Sequence, residues 1–193
     1  MSDAIRLWMI TDFSRYRTIH DAATHLLGLL ESGVYAVTLR HSGELSSVDA
    51  LRLHRVLTLC FPDRSVFFHH PDALTEDAHI PFSRVHELSA ARAACPQCRF
   101  ACSTHTVEEA EYALEAGAHM VTLSPIFTPL SKPADTRKTI EAVAADRVYM
   151  LGGMTVSRIQ RLAERGIRNF AGISLFYSDT AVEDVRTLVN LPV

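Results

Sequence analysis

Residues 99–123, RFACSTHTVEEAEYALEAGAHMVTL, contain a strand, a helix and a second strand in close succession. Residues 99–103 form a short strand-like run, residues 107–116 carry apolar side chains at helical spacing, and Gly117 supplies the helix cap. Residues 120–123 form the second apolar run. Because consecutive parallel strands need a crossover, and a helix supplies it, this stretch predicts one β/α/β unit of a parallel sheet.

The same alternation extends over the rest of the chain. Apolar runs predict strands at residues 5–11, 34–39, 65–69, 148–151 and 169–173, with a brief strand near 84–87. Helical spacing predicts helices at 18–30, 48–59, 136–145, 156–165 and 181–188, whereas residues 71–81 are too broken for a full helix. Eight such units predict the α/β class and one closed (β/α)8 TIM barrel, compact, with shortened loops and helices. The alternative, an open doubly wound sheet, would carry a glycine-rich turn after its first strand, and Thr11-Asp-Phe-Ser14 has no glycine.

Length and composition bound the class of protein. The 193 residues, 48% hydrophobic, supply one well-buried core, so we expect a single domain over residues 1–193. Lys and Arg number 19 against 22 Asp and Glu, and this net charge of −3 does not favour nucleic acid or an anionic membrane as a partner. No apolar run is long enough to cross a bilayer, and the first residues do not resemble a signal peptide. We expect a cytoplasmic protein with a small-molecule partner, and a homodimer is compatible with the sequence.

The cysteines offer a second possible chemistry. Cys95-Pro-Gln-Cys98 has the spacing of a redox or zinc motif. A structural zinc site would need a second pair of ligands, and a thioredoxin-like motif would open a helix after a strand, whereas this one precedes a strand. We therefore expect neither function.

In a (β/α)8 barrel the active site is built from loops at the C-terminal ends of the strands. The residues that close each apolar run are therefore the candidates. They are Asp12, Arg40 with His41, His69 with His70, His105, the loop 124–132, Gly152 with Gly153, and Ser174.

A phosphate site is expected in the seventh and eighth units. Gly152 and Gly153 open a helix, and Ile173 and Ser174 close the next strand, where many such barrels hold a phosphate with main-chain N–H groups. The two glycines could instead only permit a tight turn. Because both elements fall in adjacent units, we prefer phosphate binding. Lys132 ends a proline-stiffened loop and is either a phosphate or carboxylate contact or a solvated surface lysine.

His105 is the first candidate for moving a proton, since histidine is the side chain best matched to that work near neutral pH. Thr106 and Glu109 just after it resemble a capping box, so His105 could also be only a helix-entry residue with its ring in water. The pair His69 and His70 is a poor metal site, because adjacent residues of a strand point to opposite faces.

Six motifs, in order and spacing, resemble the thiamine phosphate synthase and TenI family, and the resemblance spans nearly the whole chain. They are Leu7-Trp-Met-Ile-Thr-Asp12, Val37-Thr-Leu-Arg40, Ser103-Thr-His-Thr-Val-Glu-Glu109, Ser124-Pro-Ile-Phe127 with Ser131-Lys132, Leu151-Gly-Gly-Met154 and Gly172-Ile-Ser174. The resemblance implies a TIM barrel that acts on a thiazole phosphate in thiamine biosynthesis.

The synthase branch of that family joins a pyrimidine methyl diphosphate to a thiazole phosphate, with Mg²⁺ assisting departure of pyrophosphate. It usually has a lysine shortly after the arginine of the second strand, an Asn-Asp pair after the third and an acidic residue after the fourth. Here His41 and Ser42 stand where the lysine is expected, and the Asn-Asp pair is absent. Only Asp72 or Glu87 could then hold Mg²⁺.

The thiazole phosphate half of the family pattern is retained. The matching substrate-site residues are Arg40, Ser103, Ser131, Lys132, Gly153, Ile173 and Ser174, and Gly152 is expected beside them in the phosphate-binding turn. Loss of the metal end with retention of the phosphate end resembles the tautomerase branch, which isomerises a thiazole carboxylate phosphate without a metal or other cofactor. His105 matches the histidine associated with that step. A tautomerase is the leading hypothesis, and a divergent Mg²⁺-dependent synthase and a non-catalytic thiazole phosphate binding protein remain as alternatives.

Overall fold

The computed structural model describes residues 4–40, 46–69, 71–72, 74–127 and 146–192. Eight parallel strands, each paired with the next and β8 with β1, form a closed barrel. The predicted TIM barrel is therefore confirmed. The strands are β1 (Arg6–Ile10), β2 (Ala36–Leu39), β3 (Ser65–His69), β4 (Ala78–Pro81), β5 (Phe100–Thr104), β6 (Met120–Leu123), β7 (Val148–Met150) and β8 (Asn169–Gly172).

Helices cover the outside of this barrel and begin and end where the sequence provides caps. Thr18 accepts from the main-chain N–H of Asp21 in a reciprocal capping box, and Gly33 ends the same helix with a φ of 116°. The described helices are α1 (Ile19–Ser32), α2 (Ser47–Cys60), α3 (Leu88–Ala94), α4 (Val107–Glu115), α5 (Val156–Ala163) and α6 (Ala181–Val189). The helix predicted at 136–145 lies outside the described residues. Among the helices that are described, none has the length and apolar character to span a membrane.

Side chains of each strand alternate between two apolar layers. On β1, Leu7 and Met9 pack outward against the helices, whereas Trp8 points into the barrel. The inner layer consists of Trp8, Ala36, Phe67, Ala101, Met120, Tyr149 and Ala171, all at most 5% exposed. The barrel interior is thus a packed core, and inward-facing residues beyond this layer, toward the strand ends, line the mouth.

The fourth strand lies elsewhere than predicted. The prediction of a strand near residues 84–87 is wrong, because Phe82–Glu87 is a 3₁₀ helix and β4 is Ala78–Pro81. The apolar signal of β4 is weak, since it is four residues long and contains a histidine and a proline. Arg84 and Glu87 form an ion pair three residues apart, which one turn of 3₁₀ helix permits and the opposite faces of a strand do not.

The Cys95 and Cys98 side chains are joined in a disulfide just after α3, with their Cα atoms 5.4 Å apart. Both cysteines are buried. The bond connects the end of α3 to the turn that leads into β5.

Candidate functional site

The strand register brings most of the predicted site residues to the same end of the barrel. Arg40 lies two residues beyond the buried Thr38 of β2, and Ser103 lies two residues beyond Ala101 of the inner layer. His105 follows Ser103 at the same interval, just beyond the end of β5. Because side chains alternate along a strand, these residues continue the inward-facing set into the mouth.

The ring of His105 is oriented by the loop after β6. Its Nδ1 lies 2.8 Å from the main-chain oxygen of Ser124. A carbonyl oxygen only accepts hydrogen bonds, so Nδ1 carries the proton of the neutral ring and Nε2 is left with a free electron pair. The His105 side chain is exposed at the mouth, and its Nε2 is therefore the atom that can accept a proton from a ligand.

The main chain at His105 is fixed by the start of α4. Thr106 accepts from the N–H of Glu109, as the predicted capping box requires. The Glu109 carboxylate, however, accepts from the N–H of His105 at 2.7 Å instead of closing the box on Thr106. The cap of α4 thus fixes the main chain of His105, whose ring carries the candidate proton acceptor.

A buried chain of hydrogen bonds lies behind Ser103. The indole Nε1 of Trp8 donates to the Thr38 hydroxyl at 3.0 Å, and that hydroxyl lies 3.0 Å from Nδ1 of His79. The other ring nitrogen of His79 lies 2.8 Å from the Ser103 hydroxyl. Trp8, Thr38 and His79 are at most 1% exposed, so this network is shielded from water.

One direction in this chain is fixed by its donor. An indole N–H only donates, so the Thr38 hydroxyl accepts from Trp8. The two ring nitrogens of His79 connect Thr38 to Ser103, and in a neutral imidazole one of them donates and the other accepts. Sequence reasoning missed both Thr38 and His79. The missed signal was a polar residue between apolar neighbours in Ala78-His-Ile-Pro81, which the misplaced fourth strand concealed.

Arg40 supplies a cationic group at the end of β2. The Nε of its side chain donates to the main-chain oxygen of Thr11 at 3.3 Å, and the main-chain N–H of Arg40 donates to the Thr11 hydroxyl at 2.8 Å. The terminal guanidinium nitrogens have no acceptor among the described residues, which leaves them available to an anion.

The loop after β7 packs tightly on the loop after β6. Gly152 and Gly153 have φ values of 105° and 65°, and a Cβ on Gly153 would lie 2.9 Å from the main-chain oxygen of Phe127. The main-chain N–H groups of Ile126 and Phe127 donate to Leu151 and Gly152. Both glycines are thus required by the turn itself.

The same turn offers groups that an anion could use. Within the described residues, the main-chain N–H groups of Gly152, Gly153 and Ser174 have no acceptor. Ile173 and Ser174 stand directly after β8, where Ser174 begins a 3₁₀ helix, Ser174–Tyr177. Ser131 and Lys132, together with His41 and His70, lie outside the described residues.

Of the two carboxylates that could hold Mg²⁺ in a synthase, that of Glu87 is paired with Arg84. Arg84 donates to both oxygens of Glu87 at 2.7 Å, and this pairing holds the pKa of the Glu87 carboxyl below its ordinary value. The same guanidinium donates to the main-chain oxygens of Pro71 and Asp72. Over the described ranges, no group of three His, Cys, Asp or Glu side chains is arranged to hold a metal ion. The Glu87 carboxylate as placed here is therefore not free to hold Mg²⁺.

Comparison with known proteins places this geometry in a family. A family model described as thiamine monophosphate synthase (TMP-TENI) matches residues 71–176, more than half of the chain. A putative thiamine-phosphate synthase 2 of Aquifex aeolicus is 39% identical over 80 residues, which cover 38% of this chain and 43% of that protein. A thiamine-phosphate synthase of Bacillus cereus is 25% identical over 183 residues, which cover 83% of this chain and 81% of that protein. Several of the curated relatives are thus matched over less than half of their own length.

Solved structures agree in fold. A thiamine phosphate pyrophosphorylase from Pyrococcus furiosus superposes with a TM-score of 0.73 at 16% identity, over 95% of this chain and 93% of that one. The corresponding protein from Bacteroides thetaiotaomicron gives 0.66 at 19% identity, over 98% and 100%. The matching family model, together with the eight-stranded barrel, shows that this chain belongs to the thiamine monophosphate synthase family.

Proposed function

We propose that this protein is a thiazole tautomerase-like enzyme, which isomerises a thiazole carboxylate phosphate to its aromatic tautomer without a metal ion. The observation that carries the proposal is the orientation of His105. With Nδ1 donating to the Ser124 carbonyl, Nε2 is the ring atom that would accept a proton from a ligand. No bond to a leaving group breaks in such a reaction, so no diphosphate charge has to be neutralised.

The proton transfer needs one group that works in both directions. Nε2 of His105 takes the proton from a ring carbon of the substrate, and the C–H electron pair moves into the thiazole system. The resulting imidazolium keeps its Nδ1–H bond to Ser124 and returns the proton to the carbon where the aromatic tautomer carries it. The reaction is an isomerisation, so atoms and charge balance without a second reactant.

The remaining mouth residues would bind and orient the substrate. The Arg40 guanidinium would bind the substrate carboxylate, where it would stabilise negative charge that develops as the proton leaves. The Ser103 hydroxyl, held by His79, would hydrogen-bond a polar group of the substrate. Main-chain N–H groups of Gly152, Gly153 and Ser174 would hold the phosphate, with Ser131 and Lys132 as further contacts. Ile173 would contact the ring.

A divergent thiamine phosphate synthase is the second candidate, and the names of the relatives favour it. That reaction would require Asp72 or Glu87 to hold Mg²⁺, and Glu87 would have to release Arg84 first. The third possibility, binding of thiazole phosphate without turnover, would use the same phosphate contacts.

One product assay distinguishes the three functions. Wild-type protein is incubated with the unrearranged thiazole carboxylate phosphate, and separately with thiazole phosphate plus pyrimidine methyl diphosphate, each in EDTA and in Mg²⁺. The proposal predicts conversion of the first substrate at equal rates in EDTA and Mg²⁺. Mg²⁺-dependent thiamine phosphate formation would assign the protein as a synthase, and binding without either product would assign it as a binding protein.

A further inference from the structure

The Tyr177 side chain connects the loop after β8 to the loop after β1 at the mouth of the barrel. Its hydroxyl accepts from the main-chain N–H of Asp12 at 2.7 Å and lies 3.3 Å from the main-chain oxygen of the same residue. Asp12 follows β1, and Tyr177 ends the 3₁₀ helix that follows β8. One phenol therefore joins the loops on either side of the β1–β8 seam.

The side chain of Asp12 closes its own turn. Its carboxylate accepts from the Ser14 hydroxyl at 2.7 Å and from Nε of Arg15 at 3.2 Å, and the Ser14 hydrogen bond is the main cause of its lowered pKa. The Arg15 guanidinium in turn lies 4.9 Å from the centre of the Tyr177 ring. The loop after β1 is thus a preformed support for the phenol.

A second aromatic pair supports the other side of Tyr177. The Tyr16 hydroxyl lies 2.7 Å from Nδ1 of His25 on α1, and the main chain of Phe176 bonds the same imidazole. The ring centres of Tyr16, His25 and Tyr177 lie 5.5–5.7 Å from one another. Burial raises the pKa of the Tyr177 phenol, which therefore keeps its proton near neutral pH.

Ser174 stands one 3₁₀ turn before Tyr177, so the position of its main-chain N–H depends on where Tyr177 is held. We propose that Tyr177 is a positioning residue, whose double hydrogen bond to Asp12 fixes residues 173–177 and so preorganises the Ser174 side of the phosphate site. The part that concerns phosphate rests on the proposed function. The part that concerns the seam does not.

The test uses Tyr177→Phe, which keeps the ring and removes the hydroxyl. Tyr112→Phe is the matched control, because Tyr112 is 54% exposed on α4, outside the β1–β8 seam. Tyr16→Phe removes a hydroxyl that bonds both His25 and the Tyr177 hydroxyl, and it leaves the two contacts of Tyr177 with Asp12 in place. Hydrogen exchange is measured by mass spectrometry on the ligand-free proteins. Tyr177→Phe is expected to speed exchange in residues 11–15 and 173–178 together, Tyr16→Phe to do so less, and Tyr112→Phe not at all.

Ligand affinity tests the functional consequence. The dissociation constant for thiazole phosphate is expected to rise about tenfold in Tyr177→Phe, whereas that for the same thiazole alcohol without phosphate stays unchanged. Unchanged exchange in both loop segments would overturn the proposal, as would an equal loss of affinity for the two ligands. Failure of the wild-type protein to bind thiazole phosphate would count against the proposed function instead, and the exchange measurement would still decide the role of Tyr177 at the seam.

Discussion

Replacing Thr38 by Val tests the buried hydrogen-bond chain behind Ser103. The substitution keeps the shape of the side chain and removes the hydroxyl that accepts from Trp8 and contacts His79. Thr38 is 0% exposed, so no water reaches its side chain to replace the lost hydroxyl. Each buried polar group left unpaired costs about 1–3 kcal/mol, so two groups should lower the free energy of unfolding by roughly 2–6 kcal/mol. At about 2–4 °C per kcal/mol for a chain of this size, a midpoint loss of about 4 kcal/mol corresponds to roughly 8–16 °C in Tm.

The barrel offers a matched control for this experiment. Thr122 on β6 is also 0% exposed, and its hydroxyl has no hydrogen-bond partner among the residues described. Thr122→Val should therefore leave stability unchanged or raise it, because it removes a buried hydroxyl that is unpaired in the folded protein. Urea unfolding of both variants, followed by the fluorescence of the single tryptophan, Trp8, measures the difference. Equal losses of stability in the two variants would refute the assigned network.

Two further perturbations test the turns around the mouth. Gly153→Ala should destabilise the protein in thermal unfolding, because the φ of Gly153 is 65° and the added Cβ would meet the main-chain oxygen of Phe127. Gly28→Ala inside α1 is the control. Its added Cβ meets nothing within 4 Å, so this change should stabilise the protein by about 0.5–1 kcal/mol. The Arg84–Glu87 pair should stabilise the fold above the unfolded-state pKa of the carboxyl and lose that contribution as pH falls through the lower folded pKa. Arg84→Met should therefore raise the pKa of Glu87 in an NMR titration and weaken the acid dependence of Tm, and an unchanged Glu87 pKa would contradict the pairing.

The parts of the fold that were predictable are those with strong local signals. The unit at residues 99–123 was recognisable because apolar strands, a Thr cap and a terminal glycine agree with one another. β6 begins and ends at the predicted residues 120 and 123. β4 was misplaced because its inward-facing residue is the polar His79, which becomes tolerable inside the barrel only through partners on β2 and β5. Such pairing between strands leaves no trace in local periodicity.

In the candidate site, too, some residues were predictable from the sequence and some interactions were not. Barrel topology alone predicts Arg40 and His105 at one mouth, and the family resemblance adds Ser103. The tautomer of His105 was not predictable, because it depends on a carbonyl oxygen 19 residues away. The ion pair between Arg84 and Glu87 was also not predictable, since the sequence predicts a strand over a segment that is a 3₁₀ helix.

The most direct test of the proposed proton transfer is the tautomerisation rate constant of His105→Ala against wild type, measured in EDTA under single-turnover conditions at saturating thiazole carboxylate phosphate. The account predicts a fall of about 10²–10⁴-fold for the variant, with the dissociation constant for the phosphate ligand nearly unchanged, because His105 moves the proton and does not hold the phosphate. Wild-type activity that disappears in EDTA, or a variant that keeps the wild-type rate, would contradict it.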